Sequence, residues 1–336
     1  ATVKNERPQI FGVSFIDSLA VDSDSLAVFE LMADSINLAE NNLEGILPYL
    51  TLDNLVYLNV SSNNLNGAIP YYSLPKLQYI NLDSNKLAGG IPRFDALRLR
   101  VIRMASNGLV GGFPNMEYDS LECLVLSNNK ISGPLPILEL QRLKVLMLDN
   151  NYLSGSITLL NMSLLNYVNI GHNRLNKFTT SLDLPAIHYF NIEGNQFTFS
   201  ALDSCKLLKK IGEFFKYSNQ DTLLPLEYNA YLNQLKVITE GINNFYIWMK
   251  NSQVYDTTTV NYINLPKGEN PQIYSCGIHN TSYPDLVLYT STVIDAPTDI
   301  RISLHEAEQF ELYPNPCTSY VNIKYAFDNV EKVSLT

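Results

Sequence analysis

The chain has 336 residues, 46% of them apolar, and a formal net charge of −10. That length and apolar content support more than one core, and no run approaches the roughly 18 to 20 apolar residues of a membrane-spanning helix. An acidic chain repels phosphates, which argues against a nucleic-acid partner, and a basic spot at Arg93, Arg98, Arg100 and Arg103 does not reverse the balance.

The first residues, "ATVKNERPQIFG", lack the apolar stretch of a signal peptide. Residues 1–32 keep an apolar alternation in "FGVSFIDSLAV" but place Leu19 where later repeats put asparagine, which predicts an N-terminal cap. From 33 to 199 the pattern "LxxLxLxxNxL" returns with asparagine at Asn41, Asn63, Asn85, Asn107, Asn129, Asn151, Asn173 and Asn195, always 22 residues apart. In "LVYLNVSSN", Leu58 and Val60 alternate with polar neighbours, as in a strand with one buried face. One such strand cannot bury that face alone, whereas stacked coils share a core; eight coils about 4.8 Å apart span roughly 35 Å. The asparagine amide both donates and accepts, so it can satisfy buried turn groups as a structural ladder. Gly67, Gly89, Gly111, Gly133 and Gly155 follow four places later, where a turn needs unusual backbone angles or close approach.

This pattern resembles the leucine-rich repeat family over about half the chain. The runs "GAIP", "GGIP" and "GPLP" are similar to its LxGxIP subtype, whose coil usually has 24 residues; the shorter coil here is closer to bacterial versions. The resemblance implies an α/β-type solenoid, mostly parallel β with a loop or 3-10 convex side, that binds a protein or peptide on its concave face. There the third motif position runs Ser35, Tyr57, Tyr79, Val101, Cys123, Val145, Tyr167, Tyr189. The fifth runs Asn37, Asn59, Asn81, Arg103, Val125, Met147, Asn169, Asn191. Both columns turn apolar at the same middle coils, with tyrosine and asparagine on each side. Strand propensity explains the residue types but not the shared switch. The expected ligand face is therefore Tyr57, Tyr79, Val101, Arg103, Val125, Val145, Met147, Tyr167 and Tyr189, all facing solvent, with Arg103 as a charged anchor.

Lys177 and Phe199 replace the glycine in the last coils, and "SALDSCKLLKKIGEF", residues 200–214, reads as a C-terminal cap. Over 215–296 the period is lost, and short alternating runs such as "NQLKVIT", "NNFYIWMK" and "DLVLYTSTVI" suggest a β-sandwich. Trp248 falls on the third expected strand, and Tyr274 stands two places before Cys276 as in a tyrosine corner, so the stretch resembles immunoglobulin-like domains. Leu235 and Val237 stand on the earlier strand in place of a partner cysteine, so the core disulfide is missing and another small sandwich stays open. The four cysteines, Cys123, Cys205, Cys276 and Cys317, lack zinc-ligand spacing, while one bridge, Cys205 to Cys276, stays open.

A linker over 297–306 leads to 307–336, "FELYPNPCTSYVNIKY" onward. Tyr313, Pro314, Asn315 and Pro316 with the alternation after them resemble the start of the C-terminal sorting domain of the type nine secretion system of Bacteroidetes. That resemblance implies export to the outer surface. "DSL" at 17–19, 24–26 and 119–121, "DSI" at 34–36 and "DTL" at 221–223 resemble an O-glycosylation motif of the same bacteria.

The chain has no phosphate loop, nucleophile elbow or HExxH. His172, His188, Glu193 and Asp149 fall on neighbouring coils, but an open sheet rarely makes a catalytic pocket. The expectation is a secreted or cell-surface adhesion or recognition protein, not an enzyme, without cofactor, metal, nucleic-acid partner or transmembrane segment. Its ligand is a protein or peptide, with a host protein among the candidates. A glycan-binding accessory protein is the alternative, with tyrosines stacking on sugars.

Overall fold

The computed structural model describes residues 34–229, 231–266, 272–295, 310–313 and 322–325. The N-terminal cap, the linker, His305, Cys317 and most of the sorting-domain resemblance lie outside them, as do the first two "DSL" sites. Each coil's apolar–polar alternation becomes a short strand. In the described residues nine of these strands stack in parallel: Ser35–Asn37, Tyr57–Asn59, Tyr79–Asn81, Val101–Arg103, Cys123–Val125, Val145–Met147, Tyr167–Asn169, Tyr189–Asn191 and Phe215–Lys216. The register matches motif position to motif position, so Tyr57 lies opposite Tyr79, Val101 opposite Cys123 and Val145 opposite Tyr167. The central residues Leu58, Ile80, Ile102, Leu124, Leu146, Val168 and Phe190 are sealed in a continuous core. Each is worth about 1.5 to 3 kcal/mol of apolar transfer, which only stacking makes available.

The asparagines hold the stack from inside. Asn129 shows the pattern: its Nδ2 donates to the carbonyls of Met104 (2.9 Å), Leu126 (3.0 Å) and Ser127 (3.3 Å), and its Oδ1 accepts from Leu109 N (3.1 Å). Asn63, Asn85, Asn107, Asn151, Asn173 and Asn195 each bridge to the preceding coil in the same way. Among the described residues Asn41 donates to Ala39 O at 2.7 Å, and the coil before it lies outside them. The residue before each ladder asparagine is left-handed, with φ from 52° at His172 to 61° at Glu40 and Gly194. The serines and asparagines at the other coils tolerate this turn at modest cost.

The return stretch of each coil, such as 90–100, is irregular as expected, but each coil first forms a second short strand. Seven strands, Glu44–Ile46, Asn64–Ala68, Lys86–Gly89, Gly108–Gly112, Lys130–Pro134, Tyr152–Ile157 and Arg174–Phe178, form a second parallel sheet in the described residues. The cause is the apolar residue two places after the ladder asparagine. Leu65, Leu87, Leu109, Ile131, Leu153 and Leu175 are buried between polar neighbours, which is again a strand pattern. The repeated glycine then bends the chain: Gly67 has φ 74°, and a Cβ there would lie 2.9 Å from Ile46 Cγ2.

The last coil is longer than its predecessors. Thr198 Oγ1 accepts from Ala201 N (3.3 Å) and starts a helical segment, Phe199–Leu202 followed by Asp203–Phe214. Phe199, Leu202, Cys205 and Leu208 bury their side chains in the core. The chain then returns to the concave sheet at Phe215–Lys216, opposite Phe190 and Asn191. The solenoid sheet therefore runs past the boundary that the loss of the 22-residue period suggests. Gln220 completes this coil. Its Oε1 accepts from Phe197 N (3.0 Å) and its Nε2 donates to Ile192 O (2.9 Å) and Tyr217 O (2.8 Å), as the ladder asparagines do. Asn219 before it is left-handed, with φ 54°.

Beyond residue 222 one sheet runs Leu223–Leu224, Val287–Thr290, Gln272–Asn280, Asn244–Lys250, Gln253–Thr258, with Val293–Asp295 also on Gln272–Asn280. A smaller antiparallel sheet joins Leu226–Asn229, Gln234–Val237 and Tyr262–Asn264. Trp248, Tyr274, Leu235 and Val237 are buried, and Trp248 Nε1 donates to Thr258 Oγ1 at 3.0 Å. Cys205 and Cys276 are separate free thiols, so the bridge left open by the sequence is not made; burial pushes the Cys276 thiol up to about 12. Phe310–Tyr313 pairs antiparallel with Asn322–Tyr325.

This strand module is packed onto the ninth coil. Tyr283 meets Phe199 and Tyr217, with ring centroids 6.3 and 5.6 Å apart. Lys209 Nζ lies 4.1 Å over the Tyr283 ring and donates to Ser282 O at 2.7 Å, while the Tyr217 hydroxyl donates to Asp285 at 3.1 Å. Apolar contact continues from the first coils into the module as one cluster.

Candidate binding face

The strand period aims the first and third residue of every concave strand outward. The register brings the expected face together in coil order: Tyr57, Tyr79, Val101, Val145, Tyr167 and Tyr189 in one column, Arg103 and Met147 in the next. All of these are half-buried. Val125 is the exception. It lies between Arg103 and Met147, two longer side chains, and is only 2% exposed. It belongs to the floor of the face and does not present a contact surface.

Two tyrosine pairs border the middle stripe. Tyr57 and Tyr79 stack at 4.4 Å between centroids and 11° between planes, and Tyr167 and Tyr189 at 4.4 Å and 10°. Each pair covers its own inner faces. The coil spacing puts Tyr79 and Tyr167 roughly 19 Å apart. Burial raises the Tyr79 and Tyr189 hydroxyls above their ordinary range, so both stay protonated and able to donate.

The flanking asparagines spend their oxygens on their own turns. Asn59 Oδ1 accepts from Ser61 N (3.1 Å) and Ser61 Oγ (2.8 Å), Asn81 Oδ1 from Asp83 N (3.0 Å), and Asn191 Oδ1 from Glu193 N (2.9 Å). Asn59 and Asn81 reach the tyrosine hydroxyls within their own strands only at 3.4 Å. The flanks therefore offer amide and hydroxyl donors around an apolar centre.

Arg103 is held before any ligand arrives. Its Nε donates to Asp83 Oδ2 at 2.7 Å, and Asp83 Oδ1 accepts from Ala105 N at 2.6 Å. Its charge is thus partly answered, although the side chain remains 38% exposed. Two more members of the basic spot are paired: Arg93 with Glu117 at 2.8 Å and Arg100 with Glu122 at 2.5 Å, with Lys144 joining Glu122 at 2.7 Å. The hydrogen bonds from Lys144 and Arg100 hold the Glu122 carboxyl below the usual range.

The histidine neighbourhood does not converge on a site. His172 forms a left-handed turn, His188 Nδ1 meets Asn166 Nδ2 at 2.9 Å, Asp149 accepts from Ser127 Oγ at 2.5 Å, and Glu193 from Ser218 Oγ at 2.6 Å. Among the described residues no group of three or more His, Cys, Asp or Glu is placed to hold a metal, and no helix is long and apolar enough to cross a membrane. The sequence did not reveal that Lys216 extends the fifth-position column on a ninth coil. The available signal was "NQ" at 219–220, a polar pair of the ladder kind displaced by three residues.

Residues 54–72 and 120–139 match the family model described as Leucine Rich Repeat. Among solved structures, the chain is similar to the leucine-rich repeat ectodomain of the Arabidopsis receptor kinase HAESA, solved with an N-terminally extended IDA peptide hormone (26% identity, TM-score 0.48, 61% of this chain and 36% of that one). It is also similar to a Listeria monocytogenes internalin-like protein (19% identity, TM-score 0.48, 80% and 83%) and to a plant ice-binding protein (24% identity, TM-score 0.36, 49% and 65%). The chain thus spans little more than a third of the length of the Arabidopsis ectodomain. No curated protein sequence matches it. The two matched stretches lie in a parallel stack threaded by one asparagine ladder, the fold to which the chain is similar.

Proposed function

We propose that the concave face captures a protein or an extended peptide, and that the chain acts in adhesion or recognition at a bacterial surface or after secretion. The observation that carries this is the joint change of two neighbouring columns, from Tyr and Asn to Val, Arg and Met and back, in perfect register over seven coils. An apolar centre with an aromatic and polar border is the anatomy of an interface. From Tyr57 to Tyr189 is roughly 29 Å, room for about nine extended residues. The donor-rich flanks suit backbone carbonyls.

A glycan remains the second reading, on the strength of the half-exposed tyrosines. Sugar rings stack on aromatic faces, however, and here each pair turns its inner faces on itself. That geometry favours contact through ring edges and hydroxyls, hence a peptide. The resemblance around Tyr313 to Pro316 supports export by the type nine system of a Bacteroidetes cell. The buried Trp248 and Tyr274 support an immunoglobulin-like reading of the second module.

The test is capture of matrix and mucus proteins by the immobilised chain, compared with Met147→Glu and Val145→Glu. Loss of capture in variants that melt like the parent is the expected result. Undiminished capture would contradict a concave site, and binding on a glycan array that both variants abolish would favour the sugar.

A further inference from the structure

The ninth coil, with its three extra residues, and the strand module border an open cleft of about 570 Å³ at the end of the concave sheet. Its lining includes Glu193, Lys209, Glu213, Lys216, Tyr217 and Asp285. Ligand sites have this size and favour the junction between two units. Both walls are fixed: Lys209 Nζ holds Ser282 O at 2.7 Å and the Tyr217 hydroxyl holds Asp285 at 3.1 Å. Gly212, left-handed at φ 58°, turns the chain beside it. The pocket therefore exists before any ligand arrives.

Its charges are unequally committed. The Lys209 ammonium is taken up by a carbonyl and the Tyr283 ring. Lys216 and Glu213 are exposed and have no ion-pair partner among the described residues. Glu193 and Asp285 each accept one hydroxyl, from Ser218 and Tyr217, and keep most of their acceptor capacity. A lone anion would answer Lys216 but meet three carboxylates. A lone cation would leave Lys216 unanswered. A group bearing both charges answers all of them. Lys216 also continues the column of Asn169 and Asn191, so a chain lying along the concave face runs into this pocket.

We infer that the pocket takes the C-terminal residue of an extended peptide whose last side chain is basic, its carboxylate on Lys216 and its cation on Glu213 and Asp285. This rests on the concave face being a peptide site. The probe is Nα-acetylarginine, which reaches the pocket without occupying the concave face, titrated against the full chain by ligand-observed NMR. Nα-acetylarginine amide and Nα-acetylcitrulline each lack one charge and should bind at least tenfold more weakly. Lys216→Met should abolish the preference for acid over amide, and Glu213→Gln the preference for arginine over citrulline, both at parental Tm because the side chains are exposed. Equal binding of the three probes, no binding of any, or variants that leave both preferences intact would overturn the assignment. Val145→Glu separates the two sites: it should keep acetylarginine binding while losing the captured partner. Failure in the pocket alone leaves the concave reading standing.

Discussion

Asn129 makes four hydrogen bonds in a buried environment, two of them to the preceding coil, whereas Asn81 bonds only within its own strand and turn. Replacing a buried amide leaves several backbone groups unpaired, so Asn129→Ala should cost about 1 to 3 kcal/mol in chemical denaturation. Asn81→Ala should cost about 0.5 kcal/mol or less. Equal losses would show that the ladder does not hold the stack. A second contrast lies along one column. Val125 is sealed beneath Arg103 and Met147, so Val125→Glu buries an unpaired carboxylate and should destabilise by about 4 kcal/mol or more. Met147→Glu can keep its charge in water and should stay within about 1 kcal/mol of the parent. The column itself was legible, because period-2 alternation sets the direction of a side chain. The burial of Val125 was not, because it depends on how far two neighbours from other coils reach over a short residue.

At the scale of elements, the concave sheet was legible because its letters are chemically exacting: leucine inside, asparagine at the turn, glycine at the bend. The second sheet was not. Its outward residues, Glu44, Lys86, Lys130, Tyr152 and Arg174, vary freely, and only one buried leucine or isoleucine per coil carries the pattern. The ninth coil was hidden by a three-residue lengthening and by glutamine in place of asparagine. Gln220 nevertheless makes three bonds of the ladder kind, so Gln220→Ala should cost about 1 to 3 kcal/mol. Hydrogen exchange should quicken first at Phe197 N, whose acceptor is removed. Unchanged protection there would mean that the ninth coil is held by its helical cover alone.

Across the molecule, the solenoid and the strand module share one core through Phe199, Tyr217 and Tyr283, so the module is a terminal cover as well as an extension. Tyr283 is 1% exposed, and Tyr283→Ala should cost about 3 to 5 kcal/mol and lower the melting of both units together. A transition that splits, with the solenoid unmoved, would show two independent bodies. A chain ending near Ala296 should keep the parental Tm, since the junction lies before that point. In a native-like host that truncation should stay in the periplasm if residues 307–336 are an address. We propose that the middle coils of the concave face hold the partner. Partner capture by Met147→Glu, measured beside its melting temperature, tests it most directly. Parental melting with capture lost is the predicted result, and parental melting with capture retained would contradict it.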